Sequence, residues 1–401
     1  MASLPAPIDP QLLQGSLAKF RESYTLPREA YTSTELFAWE MRNFFETSWV
    51  CLGRTEGLMR AGTRRAVRVG EESILLTRDA TGTMRGFFNV CQHRGHELLA
   101  PGGSAEGSVI VCPYHGWTYK PDGSLKSAPR LGLRPGFAVS DHGLTSVRIE
   151  EWEGWAFVNV SGDAPALSEY LGNLSELLAP WAAGELIETA RIDYVVEANW
   201  KLIHENYQEC YHCTEIHPEL CRVSPPTSGA DLNATGMWIG GWMELEDGVE
   251  TMSLTGQGGA PKLPGLSAEL ERRVYYLGLF PNLLISPHPD YLLSHRLEPL
   301  SPTRTRVECR TLFPMAVAER EGFDGSYAGD FWDVTNKQDW AACESIQRSA
   351  ASRGFKPGPI SEMEEAVYQF FNMIAAGYVD GHISQPKNPR GRASTAMVKP
   401  R

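Results

Sequence analysis

The spacing of apolar residues changes character twice along the chain. Residues 10–23 and 34–48 repeat apolar side chains at the helical interval. In the second stretch Leu36, Phe37, Met41, Phe44 and Phe45 follow the capping run Thr32-Ser33-Thr34-Glu35. From Trp49 the pattern shortens to β-type runs at 49–52, 65–69, 73–77, 85–90, 108–111 and 155–160. Turns such as Thr81-Gly82 and Pro121-Asp122-Gly123 separate them, which predicts a small all-β domain over residues 47–162. Beyond it the periods mix. Helical spacing at 167–178, 199–211, 327–353 and 361–376 is interleaved with strand-like runs at 189–196, 238–245, 274–286, 291–299 and 304–313. The expected class is α+β, with an N-terminal helical segment over 1–46 and a second large domain over 163–401. Residues 256–266, rich in Gly and Pro, read as a long loop. Residues 384–401 read as a basic tail carrying Lys387, Arg390, Arg392, Lys399 and Arg401.

Composition narrows the class. The chain has 401 residues, 42% hydrophobic and 21% charged, which excludes wholesale disorder. Its formal net charge of −12 repels phosphate backbones, so nucleic acid is not an expected partner. No uninterrupted apolar run reaches the roughly 18 residues of a membrane span, and the first residues lack the charged-then-apolar order of a leader. The expected location is the cytoplasm. There the eight cysteines would stay reduced, as metal ligands or buried thiols.

Two constellations carry chemistry. The first is Cys91-Gln92-His93 with Cys112-Pro113-Tyr114-His115, two Cys-His pairs in loops of the β domain. Two thiolates and two imidazoles make a closed four-ligand set. A zinc site is one reading, but classical fingers pair Cys with Cys and His with His ahead of a helix. One thiolate and one imidazole from each loop suit a [2Fe–2S] cluster with two Cys on one iron and two His on the other. Gly95 and Gly116 allow tight loops, while Tyr114 and Trp117 can shield the cluster.

The runs Cys-x-His-Arg-Gly-His-x-Leu and Cys-Pro-Tyr-His-Gly-Trp-x-Tyr resemble the Rieske domain of ring-hydroxylating-type non-heme iron oxygenases. The resemblance covers nearly the whole chain and is greatest for the glycine betaine, carnitine and stachydrine monooxygenase group. It implies a helix-grip catalytic domain, an antiparallel sheet curved around a long helix, against which residues 1–46 would pack.

The second constellation is Glu209-Cys210-Tyr211-His212-Cys213-Thr214-Glu215-Ile216-His217-Pro218. Glu209 and His212 share one helix face. His212 and His217 would splay by roughly 140° on a regular helix, so the helix must end or distort between them, as Pro218 suggests. Two His near a helix end suit a 2-His-1-carboxylate iron site with positions open for O₂. The third ligand must come from elsewhere. Asp339, on a long helix in one inward stripe with Cys343 and Ile346, would by itself read as a surface acid. The family's ligand Asp in a similar Asp-x₃-Cys-Glu-x-Ile-Gln run singles it out, ahead of Asp333 and Glu344.

The resemblance also implies that Glu209 links His212 to His115 of a neighbouring chain in a homotrimer, where the family usually has Asp. Asn206 would lie near the iron. Electrons would come from a separate NAD(P)H-dependent reductase, because the chain has no nucleotide fold or plant-type ferredoxin cysteine run of its own. Cys210 and Cys213 read as buried thiols, and His204 as a core or supporting histidine.

The expected reaction uses O₂ to hydroxylate or N-demethylate a small quaternary ammonium compound. Tyr207, Trp238, Trp242, Tyr276 and Phe280 are the candidates for an aromatic cage around it. An aromatic acid, anchored by Arg296, is the alternative substrate. A Rieske electron carrier without oxygenase activity is the alternative of another class.

Overall fold

The computed structural model describes residues 5–131 and 134–389, so Arg390, Arg392, Lys399 and Arg401 of the basic tail lie outside the described residues. The chain divides into two compact units, Glu40–Pro165 and the combination of Met1–Trp39 with Ala166–Arg401.

The Glu40–Pro165 unit is built on a seven-stranded antiparallel sheet. Its strands run in the order Val50–Arg54, Trp155–Asn159, Ser146–Trp152, Met84–Phe88, Glu72–Arg78, Thr63–Val69 and Ser104–Glu106. Val50–Arg54 and Trp155–Asn159 are buried at every position, which explains their unbroken apolar reading. A second sheet of Ile110–Val111, Thr118–Tyr119 and Leu125–Ser127 carries the other Cys-His loop. Leu75, Phe87, Ile110, Trp117 and Tyr119 pack around Cys91 and Cys112 in one core.

The larger unit has an antiparallel sheet in the order Leu186–Val196, Arg304–Pro314, Leu292–Ser301, Leu283–Pro287, Arg273–Leu279, Trp238–Glu244 and Ala230–Asp231. Side chains alternate across it. Tyr276 meets Trp332 of the helix Ser326–Ala350, whereas the adjacent Tyr275 meets Trp181. Met243, Val274, Leu293, Cys309, Phe331 and Trp332 fill the core between sheet and helix. The N-terminal residues belong to this unit. Ala6 N–H donates to Tyr378 O at 3.1 Å, and Thr25 N–H to Gly358 O at 2.9 Å.

Several elements depart from their periodicity. Residues 10–23 form only a 3₁₀ turn, Pro10–Leu13, followed by turns, with Arg21 at φ 77° and Tyr24 bridged to Pro359. Residues 34–48 form an α-helix, Thr34–Glu40, that widens into a π-helical segment, Met41–Phe45. Residues 167–178 break at Gly172, whose φ of 54° and close approach to the Thr235 backbone exclude a side chain. Residues 274–286 are two strands, turning at Phe280-Pro281.

Candidate metal centres and substrate pocket

The two loops of the β unit have the same construction. Cys91 O accepts from Gly95 N–H and Cys112 O from Gly116 N–H, both at 3.0 Å, and both glycines take positive φ, 71° and 70°. Each loop therefore turns its cysteine inward and its histidine outward. Cys91 and Cys112 are buried, while the Nδ1 atoms of His93 and His115 stand 3.1 Å apart toward the surface. Trp117 stacks on His93 at 5.0 Å, and Tyr114 packs on His115 and is half exposed. The Tyr119 hydroxyl is 3.3 Å from Cys91 Sγ. Burial pushes the Cys91 thiol up, so a cationic partner is needed to hold it as thiolate. Two sulfurs inside and two nitrogens outside are the donor set that a mixed-ligand iron–sulfur cluster takes.

In the larger unit Asn199 caps the helix Trp200–Asn206, its side chain accepting from Lys201 N–H at 3.1 Å. The helix stops at Asn206 rather than continuing to 211. Glu209 turns its carboxylate back onto Tyr211 N–H and His212 N–H, a side-chain bond that competes with the helical ladder. His212 and His217 then flank the one-turn helix Cys213–Ile216, and Pro218 begins the next, Pro218–Val223. The two imidazoles converge on Asp339 from the helix Ser326–Ala350. Its Oδ1 lies 2.9 Å from His217 Nε2 and 3.4 Å from His212 Nε2.

The remaining ring nitrogens are fixed. His212 Nδ1–H donates to Glu209, and His217 Nδ1–H donates to Gln338 Oε1 at 2.7 Å. Both Nε2 atoms therefore face Asp339, and once deprotonated they are the ring atoms that would be left for a metal. Burial alone would raise the Asp339 carboxyl, but its bonds to His212 and His217 hold it below the usual value. Two imidazoles and one carboxylate are a donor set that would hold a non-heme iron, which would supply O₂ chemistry there. Asp333 instead pairs with Tyr194 and Lys337, and Glu344 accepts from Glu197 N–H. Ile346 points outward at 43% exposure, so the inward stripe passes through Cys343 and Gln347.

Cys210 and Cys213, expected as separate thiols, are joined in a disulfide. Sγ of Cys213 and one ring nitrogen each of His212 and His217 lie within 4.8 Å of one another.

A cavity of about 440 Å³ opens on this group. Tyr207, Trp242 and Tyr276 line it, as does Asn206 on the last turn of the Trp200–Asn206 helix. Trp238 and Phe280 do not: Trp238 is buried with its Nε1–H on Asn173, and Phe280 packs on Trp200. Trp332, not anticipated, takes a place in the wall. It lies seven residues before Asp339, two turns along the same helix face, and that spacing was the available signal. Tyr207, Tyr276 and Trp332 meet edge to face, at 5.9 and 6.4 Å between successive centroids.

Among the described lining residues there is no Arg or Lys, while Glu209, Asp231, Asp339, Glu362 and Glu365 supply carboxylates. Arg296 is bound to Glu308 and Glu298 and does not reach the cavity. Sequence reasoning also missed Glu205, which accepts from the Tyr31 hydroxyl at 3.0 Å. Burial raises its carboxyl to about 8, against the pull of Tyr31 and Lys201.

A Cys-His loop pair in a β unit, with a His-His-Asp group beneath an aromatic cavity in an α+β unit, defines a two-centre oxygenase. Residues 48–138 match the Rieske [2Fe-2S] domain family, and residues 184–380 the ring hydroxylating alpha subunit (catalytic domain) family. The chain belongs to the Rieske non-heme iron oxygenases, as the oxygenase subunit of a monooxygenase. Its cofactors are a Rieske [2Fe–2S] cluster and a mononuclear non-heme iron.

The glycine betaine monooxygenase oxygenase subunit of Chromohalobacter salexigens is 30% identical over 372 residues, covering 85% of this chain and 83% of that protein. The carnitine monooxygenase oxygenase subunit of Escherichia coli is 38% identical over 200 residues, 49% of this chain and 53% of its own length. The crystal structure of the quaternary ammonium Rieske monooxygenase CntA with L-carnitine superposes with a TM-score of 0.73 at 25% identity, covering 93% of this chain and 99% of that one. No helix among the described residues is long and apolar enough to cross a membrane.

Proposed function

We propose that this chain hydroxylates an N-methyl or neighbouring carbon of a small quaternary ammonium compound, using O₂ and two electrons from a separate NAD(P)H-dependent reductase. The observation that carries the reading is the cavity itself: aromatic walls and carboxylates, with no basic side chain among its described lining residues. Ring faces attract a desolvated ammonium, and the carboxylates favour positive charge. The glycine betaine and carnitine monooxygenases among its relatives support the same substrate class. An aromatic acid would meet carboxylates instead of a cation, because Arg296 is held elsewhere. The intact His212, His217 and Asp339 set argues against a pure electron carrier.

On this reading Cys91, Cys112, His93 and His115 hold the cluster, and His212, His217 and Asp339 hold the mononuclear iron. When bound, these groups supply one-electron transfer and O₂ activation. The protein's own part is orientation and exclusion of water. Glu209 and Gln338 fix the two imidazoles, Tyr207, Tyr276 and Trp332 seat the cation, and Asn206 stands at the metal side of the cavity. In a homotrimer Glu209 would also reach His115 of the partner subunit and so join the two centres. We place the enzyme in the cytoplasm.

Hydroxylation of an N-methyl group consumes O₂ and NAD(P)H, yields water and an N-hydroxymethyl product, and releases formaldehyde as the C–N bond breaks. The test supplies iron-loaded protein, a surrogate reductase and NADH with glycine betaine, carnitine and proline betaine in turn, then choline. Substrate-dependent formaldehyde or a hydroxylated ammonium product is expected. Oxygen incorporation only into aromatic acids would overturn the reading.

A further inference from the structure

The long Gly- and Pro-rich loop, with the residues just before it, has no part in the reaction as proposed. It is nonetheless bonded to the turn 288–291, which packs beneath the cavity wall. Leu263 N–H donates to Pro289 O at 2.7 Å. We propose that Tyr291 is a positioning residue for the substrate cavity. Its hydroxyl ties the loop carbonyl of Met252 to the indole of Trp332, and so sets the ring that meets the cation. This rests on the reading of the cavity as a quaternary ammonium site.

The roles in this chain of bonds are forced. A carbonyl can only accept and an indole N–H can only donate. Tyr291 therefore gives its one proton to Met252 O, at 2.8 Å, and takes Trp332 Nε1–H on its oxygen, at 2.9 Å. Tyr291, Met252 and Trp332 are all buried by this chain's own residues, so water does not compete for the bonds. The neighbouring Asp290 repeats the connection. Its carboxylate accepts from Thr251 Oγ1 of the loop and from Tyr327 Oη of the Ser326–Ala350 helix that carries Trp332. His288 closes the group, its ring stacked on Tyr291 at 4.1 Å and edge-on to Trp332 at 5.5 Å.

An indole N–H satisfied inside the core leaves ring carbon for the cavity wall, the part of Trp332 that attracts an ammonium. Without the Tyr291 hydroxyl, another acceptor lies close. Neither ring nitrogen of His288 has a partner among the described residues, and burial pushes its pKa well down, so the ring stays neutral with a free lone pair. The indole would turn its N–H toward that nitrogen or toward the cavity, because a buried unpaired donor is costly. Either motion takes the ring out of its place. The cage thus depends on a loop of which no described residue, 246–266, lines the cavity.

The test compares choline with 3,3-dimethylbutan-1-ol, its uncharged tert-butyl isostere, by anaerobic calorimetry on the full-length enzyme with both metal centres loaded. The ratio of the two Kd values reads the preference for charge, whereas a general loosening of the fold weakens both ligands together. Tyr291→Phe should lower that preference roughly 3- to 10-fold and leave Kd for the alcohol within about twofold. In a Trp332→Phe background, which has no N–H to place, the same change should lower it no further. Thr251→Val keeps every ring and removes only the neighbouring tie of the loop. It should lower the preference by a smaller factor, and it serves as the test if Tyr291→Phe does not fold. Wild-type preference in Tyr291→Phe, or in Thr251→Val where that variant stands in, overturns the proposal. So does a Tyr291→Phe loss that repeats in full in the Trp332→Phe background. A wild type that binds the two ligands alike overturns the ammonium reading on which the proposal rests.

Discussion

Replacing Tyr276 with Leu should separate charge recognition from simple burial. Tyr276 stands between Tyr207 and Trp332 on the cavity wall, and its hydroxyl has no hydrogen-bond partner among the described residues. The substitution therefore removes a ring face without breaking a polar contact. A desolvated ammonium over one ring gains about 1–2 kcal/mol. Its loss corresponds to a roughly 5- to 30-fold rise in Kd for the cation. Leu keeps most of the apolar volume, so the uncharged tert-butyl isostere of the same ligand should weaken by no more than about threefold. Anaerobic calorimetry on both ligands gives the ratio directly. Tyr276→Phe, which keeps the ring, should bind both as the wild type does. An equal loss for cation and isostere, or no loss for the cation, would refute the cage.

Further predictions concern supports of the site and the sheet. Gln338→Ala frees His217 Nδ1, so affinity for the mononuclear metal should fall about 10- to 100-fold, measured by chelator competition, with the cluster spectrum unchanged. Gly278→Ala would set a Cβ 2.2 Å from Gln208 Nε2 and 2.9 Å from His204 Cε1, so it should cost about 1–3 kcal/mol in denaturant melts. Glu308, buried between Arg296, Arg310 and Arg191, is held down at about 2 against an ordinary 4.5, because the arginines outweigh its burial. A depressed carboxyl contributes its stability above the unfolded value and loses it as pH falls. About 3 kcal/mol should therefore disappear between pH 4.5 and 2 in the wild type, and Glu308→Gln should flatten that slope.

What could be read from the sequence divides by range. The Cys-His pairs were legible because each loop's ligands are two or three residues apart, and Gly95 and Gly116 mark the turns that orient them. His212 and His217 were legible for the same reason, since their spacing demands a helix break that Pro218 supplies. Asp339 needed the family pattern: nothing local distinguishes it from a surface acid until the 326–350 helix packs against the two histidines. Of the five candidates for a cage, Tyr207, Trp242 and Tyr276 line the cavity. Trp238 and Phe280 are as aromatic as Tyr276, but strand register and the turn at Pro281 direct them away from the cavity. Residues 10–23 show the reverse error: their helical spacing yields to successive turns, Ala18 N–H on Gly15 O and Glu22 N–H on Lys19 O among them, before Ser23 and Thr25 bond to Ile360 and Gly358. The Cys210–Cys213 bond went unread because cysteines interleaved with metal ligands look like packing.

The central claim is that one chain holds two separate iron centres, and metal analysis of Asp339→Ala tests it most directly. The account predicts that this variant loses the mononuclear iron and keeps the two irons and two sulfides of the cluster, with the reduced Rieske electron paramagnetic resonance signal at wild-type intensity. Iron and sulfide lost in the same proportion, or an iron content equal to that of the wild type, would contradict it.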